Sequence, residues 1–284
     1  MTTDRAGIPQ RSAFWNVIVH PALPGALNLA VDQALLDSLS STDSPAATYL
    51  RFYQWDRPTL SLGFSQKAER VVDFDFCKSH GIAIVRRATG GKAVLHDREL
   101  TYAVVSNDPT FFPLGDIPPT YKKIATALRS GFRYLDLETD LADAPPPERA
   151  SMKPRFAAAC YAVTNHYELS FQGRKLVGSA QRRTQNAFLQ HGSIPIQFDE
   201  RLLLGALGPG SVSTLESQVT DLASCLGFSP SAERVIEALL EGFRDVFQAS
   251  LRRAELSREL LAEATVLGQT KYGALDWKER PKMP

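Results

Sequence analysis

The apolar residues of the N-terminal part of the chain follow strand and helix patterns in turn. Phe14–Val19 has the composition of a strand, and the stripe Leu27, Val31, Leu35 and Leu39 has helical spacing. Residues 48–55 and 59–62 are rich in β-forming residues and are separated by the turn signal Asp-Arg-Pro. The pattern therefore predicts a strand, a helix and then a pair of strands.

The middle of the chain continues this alternation. Residues 66–80 have a helical pattern that ends at Gly81, and residues 82–87 and 100–106 are predicted strands on either side of a glycine turn at 89–91. A helix is predicted from Pro118 to about Leu135, followed by a proline-rich loop at 144–154.

The C-terminal half begins with a hairpin signal. Residues 166–171 and 175–180 flank Gln-Gly-Arg, residues 188–198 form a further predicted strand, and residues 232–247 and 256–267 carry helical stripes. Because the strands occur mostly as hairpins with helices between them, we expect an α+β fold with a mixed, largely antiparallel sheet flanked by helices. We expect one domain over residues 12–284, with a helical segment from about 211 and a flexible N-terminus at 1–11.

Composition and charge narrow the classes of function. The chain of 284 residues is 44% hydrophobic and 22% charged and carries a net charge of +1, so no overall electrostatic attraction to nucleic acid or to an anionic membrane is expected. The polar N-terminus and the absence of an apolar run of about 20 residues predict a cytoplasmic protein. Three widely separated cysteines predict free thiols and no metal or disulfide framework.

The glycine turn is the first candidate for a binding site. Arg86 and Arg87 end a predicted strand and precede Gly90 and Gly91, which would let the backbone approach a ligand closely. Arginine supplies donors for a carboxylate or phosphate, and His96 could face the same cleft. The alternatives are a tight turn with surface arginines and a histidine with a structural hydrogen bond.

The hairpin provides a second candidate. A two-residue turn at Gln172-Gly173 would pair Phe171 with Arg174 and place Lys175 beside Ser170, facing a cleft or water. The small residues 178–180 are predicted to continue this strand where another group, such as a ligand, approaches closely.

One cysteine differs from the other two. Cys77 and Cys225 lie in apolar helical segments and are predicted core residues, whereas Cys160 follows a proline-rich loop and three alanines. An ammonium group near a cysteine favours the thiolate, so Cys160 and Lys175 could act as nucleophile and proton shuttle. The residues alone leave this pairing open.

Three motifs in sequence order resemble a known family. They are Arg86 to Asp97 (RRATGGKAVLHD), Tyr167-Glu168-Leu169 with Lys175 to Gln181 (KLVGSAQ), and Leu189 to Ile194 (LQHGSI). They are similar to the biotin/lipoate protein ligase superfamily and most of all to its cysteine-dependent octanoyltransferases. The resemblance implies a class II synthetase-like biotin/lipoate ligase fold with an acyl tunnel beside the glycine turn.

The resemblance also implies the roles of the site residues. Lys175 matches the lysine that holds the acyl carbonyl, and Cys160 falls where the transferases carry their acyl-accepting cysteine, which the ATP-using ligases do not need. The implied catalytic residues are thus Cys160 and Lys175, with no cofactor and no metal. The implied substrate-binding residues are Arg86, Arg87, Thr89, Gly90, Gly91, His96, Gly178, Ser179, Ala180, His191 and Gly192.

The implied reaction takes an octanoyl group from octanoyl-acyl-carrier protein to a lysine of a lipoyl-carrier protein, either glycine cleavage H protein or a lipoyl domain. Three alternatives remain: an ATP-dependent lipoate-protein ligase, a carrier-to-carrier octanoyl amidotransferase, and a non-catalytic module that binds acyl chains or carriers. Two residues depart from the family pattern, Lys92 after the glycine pair and Pro195, which suggests a strand edge or end.

Overall fold

A computed structural model describes residues 14–141, 167–208 and 218–274. Its strands are β1 (Phe14–Val19), β2 (Thr48–Tyr53), β3 (Thr59–Leu62), β4 (Ala83–Arg86), β5 (Val94–His96), β6 (Glu99–Ser106), β7 (Asp140–Leu141), β8 (Leu169–Phe171), β9 (Arg174–Lys175), β10 (Gly178–Arg183), β11 (Phe188–Pro195) and β12 (Ser250–Arg253). Its α-helices are α1 (Gly25–Leu39), α2 (Ala68–Val71), α3 (Phe74–Ser79), α4 (Ile117–Arg133), α5 (Glu200–Ala206), α6 (Leu222–Leu226), α7 (Ala232–Phe247) and α8 (Arg258–Leu267), and α8 continues into a π-helical turn at Gly268–Tyr272.

Six strands form the central sheet in the order β10-β11-β6-β2-β1-β12. The pairings among β10, β11, β6 and β2 are antiparallel, whereas β1 is parallel to both β2 and β12. The predicted α+β class with a mixed, largely antiparallel sheet is confirmed. Two three-stranded sheets, β4-β3-β5 and β7-β8-β9, lie beside it.

Helices cover both faces of the central sheet because successive strand residues point to opposite sides. Val17 of β1 belongs to a buried cluster with side chains of α4 and α7, while its neighbour Ile18 packs with α1 and Ala264 of α8. Gly131 and Gly242 allow α4 and α7 to approach closely, since a Cβ on Gly242 would lie 2.2 Å from the Gly131 nitrogen. None of the described helices is long and apolar enough to cross a membrane.

Two predicted elements differ in the structure. The expected strand pair at 48–55 and 59–62 does not form: β2 joins β1 and β6, and β3 lies between β4 and β5. The turn signal marks where the chain bends but not which strands pair. The helix expected at 66–80 is divided, because the Asp73 side chain accepts a hydrogen bond from the Phe76 nitrogen and so caps α3 at its start.

The predicted hairpin is confirmed, but its second strand ends earlier than expected. Phe171 pairs with Arg174, and Ser170 with Lys175. The amides of Leu176 and Val177 then both donate to the Leu169 carbonyl, which ends β9 and leads the chain into the central sheet. Residues 178–180 therefore belong to β10 and do not continue the hairpin.

The remaining predictions concern Pro195, the edge of the central sheet, and the segments outside the described residues. Pro195 ends β11, as expected, and this strand lies inside the sheet. β12 was missed because its Ser-Leu-Arg-Arg sequence lies at the sheet edge and is largely exposed. The flexible N-terminus at 1–11 and the loop at 144–154 lie outside the described residues, and the single domain over 12–284 stays a prediction.

Candidate active site

Arg86, the last residue of β4, holds a turn at residues 63–66 that adjoins the glycine turn. The Arg86 side chain is fully buried and donates to the carbonyls of Gly63, Phe64 and Gln66. Gly91 has a φ of +92°, a conformation that favours glycine. Arg86 therefore fixes the adjoining 63–66 turn in this structure, and its assignment to substrate binding stays a prediction.

Arg87 holds the glycine turn itself. Its guanidinium donates to the carbonyls of Ser61, Gly90 and Lys92 and to the Ser61 hydroxyl. Arg87 also lines a cavity described below, so it lies at the candidate site. Since these donors are directed to the protein, the structure gives Arg87 a clear role in shaping the turn, while a direct contact with substrate stays a prediction.

A buried carboxylate connects this turn to α1 and the central sheet. Asp32 lies 2.7 Å from Arg51 Nη1, and its other oxygen accepts from the Tyr53 hydroxyl at 2.9 Å and lies 3.1 Å from His191 Nδ1. Burial alone would raise the pKa of Asp32, but Arg51 and His191 outweigh burial and hold that pKa below its ordinary value. His191 Nδ1 therefore donates to the Asp32 carboxylate, and His191 Nε2 lies 2.8 Å from Thr89 Oγ1.

The predicted residues Thr89 and His191 are thus brought together, one from the turn and one from β11. Neither Asp32 nor Arg51 was predicted as part of the site. A signal existed in the sequence, because Asp32 directly follows Val31 of the apolar stripe and is one of only two charged residues in a largely apolar helix.

A small cavity lies between the turn and the central sheet. Its volume is about 20 Å³, about enough for one water molecule. We call it the inner cavity. It is lined by Leu29, Tyr53, Trp55, Ser61, Arg87, Val94, His96, Thr101, Gly178, Ser179, Ala180, His191, Gly192 and Ser193.

His96 forms one side of the inner cavity and stacks on Trp55, with ring centroids 3.9 Å apart. Its Nε2 lies 2.8 Å from the Ser61 hydroxyl, and its Nδ1 lies 3.2 Å from Glu99 Oε1. Burial lowers the pKa of His96 although Glu99 opposes the shift, so the ring is neutral at neutral pH. The Trp55 indole donates to Glu99 at 2.7 Å and to Thr101 at 2.9 Å.

A second cavity opens to solvent between the glycine turn and the start of α4. We call it the outer cavity; its volume is about 320 Å³, and it shares Ser179 and Ala180 with the inner cavity. The Tyr121 hydroxyl donates to the Ser179 carbonyl at 3.1 Å. The lining residues are Gly90, Gly91, Ile117, Pro118, Tyr121, Tyr167, Ser179, Ala180 and Gln181.

Lys175 is buried and paired with a carboxylate. Its Nζ lies 2.6 Å from Glu168 Oε1, and each of the two residues is 3% exposed. The Lys175 amide donates to Gln218 and its carbonyl accepts from Thr220, so its main chain is fixed on the side opposite Ser170. The expectation that Lys175 faces water is wrong, because its side chain is buried and pairs with Glu168 across the hairpin, whereas the expectation that it faces a cleft stays a prediction.

The structure describes two of the three cysteines, Cys77 and Cys225. Cys77 is buried, as predicted, and burial raises the pKa of its thiol to about 11. Cys225 packs half-buried against the core, and burial raises its thiol pKa as well. Cys160 lies outside the described residues, so its distance from Lys175 stays a prediction. Because the thiolate is the nucleophile, neither Cys77 nor Cys225 is suited to that role.

The Asp32 network gives a pH-dependent prediction. Asp32→Asn should destabilise the protein by about 3–5 kcal/mol near neutral pH, because it leaves Arg51 buried without its counter-charge. The pKa of Asp32 is lower in the folded state, so its stabilising effect is complete above the unfolded pKa and is lost as pH falls through the folded value. The stability difference between wild type and variant in urea unfolding should shrink below about pH 4.

Asp43→Asn is the matched control, because Asp43 is exposed, and it should leave the stability curve unchanged. If the free energies of unfolding of wild type and Asp32→Asn differ little near neutral pH, or if their difference does not vary with pH, the proposed charge of Asp32 is contradicted.

Comparisons with known proteins agree with this architecture. The family model for the lipoyl protein ligase A/B catalytic domain matches residues 24–244. Octanoyltransferase LipM of Kyrpidia tusciae is 37% identical over 273 residues, 94% of this chain and 98% of the relative. Octanoyltransferase LipM of Carboxydothermus hydrogenoformans is 37% identical over 277 residues, 93% of this chain and 97% of the relative.

Solved structures show the same fold. A lipoate-protein ligase A bound with ATP has a TM-score of 0.77 at 24% identity, covering 94% of this chain and 98% of its own. A putative lipoate protein ligase from T. acidophilum with bound lipoic acid has a TM-score of 0.76 at 24% identity, and the match covers 94% of this chain and 99% of that structure's chain. The predicted biotin/lipoate ligase fold is confirmed. With a matching family model over residues 24–244 and relatives of 37% identity along nearly their full length, the chain belongs to the lipoyl protein ligase A/B catalytic-domain family.

Proposed function

We propose that the protein is an octanoyltransferase of lipoate biosynthesis, which moves an octanoyl group through a thioester on Cys160 to a lysine of a lipoyl-carrier protein. The observation that carries the proposal is the identity of 37% to proteins named octanoyltransferase over more than nine-tenths of this chain. The donor is octanoyl-acyl-carrier protein, and the acceptor is glycine cleavage H protein or a lipoyl domain. The reaction takes place in the cytoplasm.

The cavities support an acyl substrate of moderate size. The outer cavity, at about 320 Å³, lies at the lower end of the range of about 300–1,000 Å³ for small-ligand sites. Its walls combine the backbone of Gly90 and Gly91 with the apolar side chains of Ile117 and Tyr121. An acyl chain would lose apolar surface to water on entering such a site, and the glycine backbone can approach its polar end.

The chemistry proceeds without nucleotide. In the first step the Cys160 sulfur attacks the donor carbonyl, a carbon–sulfur bond forms on the enzyme, and the carrier thiol leaves. In the second step the amine of the acceptor lysine attacks the enzyme thioester, a carbon–nitrogen bond forms, and Cys160 is released as a thiol. The first step exchanges one thioester for another, and the second converts a thioester into a more stable amide. No further energy source is therefore needed.

Lys175 acts as the proton shuttle and holds the acyl carbonyl. Its pairing with Glu168 at 2.6 Å supports this role, because the carboxylate orients Nζ and can take one of the Nζ protons as Nζ accepts the proton of the Cys160 thiol. Glu168 is therefore a positioning residue. It was not recognised in the sequence, although it lies in the Tyr167-Glu168-Leu169 motif.

A covalent adduct tests the role of Cys160. Wild-type protein incubated with an octanoyl thioester should gain the mass of one octanoyl group, measured by intact-mass spectrometry. Cys160→Ser should show no thioester adduct, because the nucleophilic thiol is gone. Cys77→Ser and Cys225→Ser are matched controls that should keep it. An adduct that persists in Cys160→Ser but disappears in either control would remove Cys160 from the mechanism.

Substitution of the ion pair tests the role of Lys175. Lys175→Met should lower kcat for octanoyl transfer on the order of a hundredfold, because a positioned acid–base group is lost. Glu168→Gln should lower kcat by about tenfold with little change in KM for the donor, and Glu168→Asp should recover part of the loss.

The exposed lysine of α3 provides the control, and Lys78→Met should transfer octanoyl at the wild-type rate. Wild-type kcat in a folded Glu168→Gln variant would show that the carboxylate serves packing alone.

A further inference from the structure

A series of side-chain hydrogen bonds crosses strands β10, β11 and β6 and ends at Ser179. Arg183 Nε donates to Gln181 Oε1 at 2.9 Å, and Gln181 Nε2 donates to Gln190 Oε1 at 2.9 Å. Gln190 Nε2 lies 3.1 Å from the Tyr102 hydroxyl, which lies 2.8 Å from Ser179 Oγ. We call these five side chains the Ser179 network. It connects a permanent cation to a hydroxyl-bearing residue that lines the outer cavity.

The arginine fixes the direction of each hydrogen bond in the Ser179 network. A guanidinium group can only donate, so Gln181 accepts through its carbonyl oxygen and donates through its amide nitrogen. Gln190 accepts from Gln181 in the same way, and its amide nitrogen therefore donates to the Tyr102 hydroxyl. Burial raises the pKa of Tyr102 to about 12, so this hydroxyl keeps its single proton and donates it to Ser179 Oγ.

The Ser179 hydroxyl thus accepts one hydrogen bond and keeps its own proton to donate. Ser179 is 8% exposed, and within the described residues Tyr102 is the one hydrogen-bond partner of its hydroxyl. Polar groups that are largely removed from water are nearly always hydrogen-bonded. The free donor therefore indicates an acceptor that a ligand supplies.

The Ser179 hydroxyl lies on the side of the central sheet that faces α4, where the outer cavity opens. Ser179, Gly192 and Tyr102 are neighbours in the sheet register, and their side chains share one face. Tyr102 belongs to the buried cluster that includes α4 and α7. A Cβ on Gly192 would lie 2.6 Å from both Ser179 Oγ and the Tyr102 ring, so glycine at this position lets the hydrogen bond span two strands.

We propose that the Ser179 hydroxyl donates a hydrogen bond to the acyl oxygen during transfer and that the rest of the Ser179 network positions it. This inference rests on the proposed acyl transfer. As the Cys160 sulfur attacks the donor carbonyl carbon, an electron pair moves onto the acyl oxygen and forms an oxyanion. The carbonyl bond then re-forms and the carrier sulfur leaves, taking from Lys175 the proton that Lys175 received from the thiol. The hydrogen bond from Ser179 strengthens as the negative charge develops, so it lowers the barrier.

Removal of the hydroxyl is the first test. Ser179→Ala should lower kcat for octanoyl transfer by about a hundredfold with little change in KM for the donor, because the lost hydrogen bond matters most in the transition state. Ser179→Thr keeps a hydroxyl and should recover part of the loss. Ser106→Ala is the matched control, because Ser106 is also a buried, hydrogen-bonded serine of the central sheet but lines neither cavity. It should keep the wild-type kcat.

Inhibition by octanal separates catalysis from packing. The Cys160 sulfur adds to the aldehyde carbon and the thiol proton moves to the oxygen, which gives a hemithioacetal that resembles the tetrahedral intermediate. The inhibition constant of octanal should rise in Ser179→Ala by about the factor by which kcat/KM falls. A folded Ser179→Ala variant with a low kcat but the wild-type inhibition constant would assign the loss to packing and overturn the proposal.

Tyr102→Phe tests the positioning network and decides the case if Ser179→Ala does not fold. It keeps the Ser179 hydroxyl but removes the group that orients it, so kcat should fall and the inhibition constant of octanal should rise, each by less than in Ser179→Ala. Wild-type kcat in folded Ser179→Ala or Tyr102→Phe would overturn the inference while leaving acyl transfer in place. A wild-type protein that transfers no acyl group from any thioester donor would instead overturn the proposed function, and the role of Ser179 with it.

Discussion

The buried carboxylate of Asp32 connects the parts from which the site is built. It lies on α1, pairs with Arg51 of β2 and contacts His191 of β11, which in turn is bonded to Thr89 of the glycine turn. A charge in the interior is tolerated only when it is paired and hydrogen-bonded, so these four elements are held in one relative arrangement. The position of the glycine turn over the sheet depends on this network.

Polar groups at the site fall into those that shape it and those proposed to react. Arg87 directs its donors to carbonyls of the turn, and Glu99 accepts hydrogen bonds in the wall of the inner cavity. Lys175 and Glu168 form a separate buried pair on the hairpin. This division explains how an apolar acyl chain can be bound beside so many buried polar residues, since those residues satisfy one another and leave the outer cavity largely apolar.

The sequence predicts the elements of this fold better than their partners. Hydrophobic spacing locates β1, α1, α4 and α7, and turn chemistry predicts the hairpin that carries Lys175, because these signals are local. The separation of β2 from β3 and the pairing of β12 with β1 depend on contacts far along the chain, which spacing does not encode. For the same reason the motifs indicate Thr89 and His191 as site residues but not the carboxylate of Asp32 that aligns His191.

The central claim is acyl transfer through an enzyme thiol without nucleotide activation. The most direct measurement follows octanoylation of an apo lipoyl-carrier protein by the pure enzyme with octanoyl-acyl-carrier protein as the only donor and no nucleotide. The account predicts an octanoyl amide on the carrier lysine under these conditions, and no dependence on added ATP. Product that forms only when ATP and free octanoate are supplied would contradict it and identify the protein as an ATP-dependent ligase.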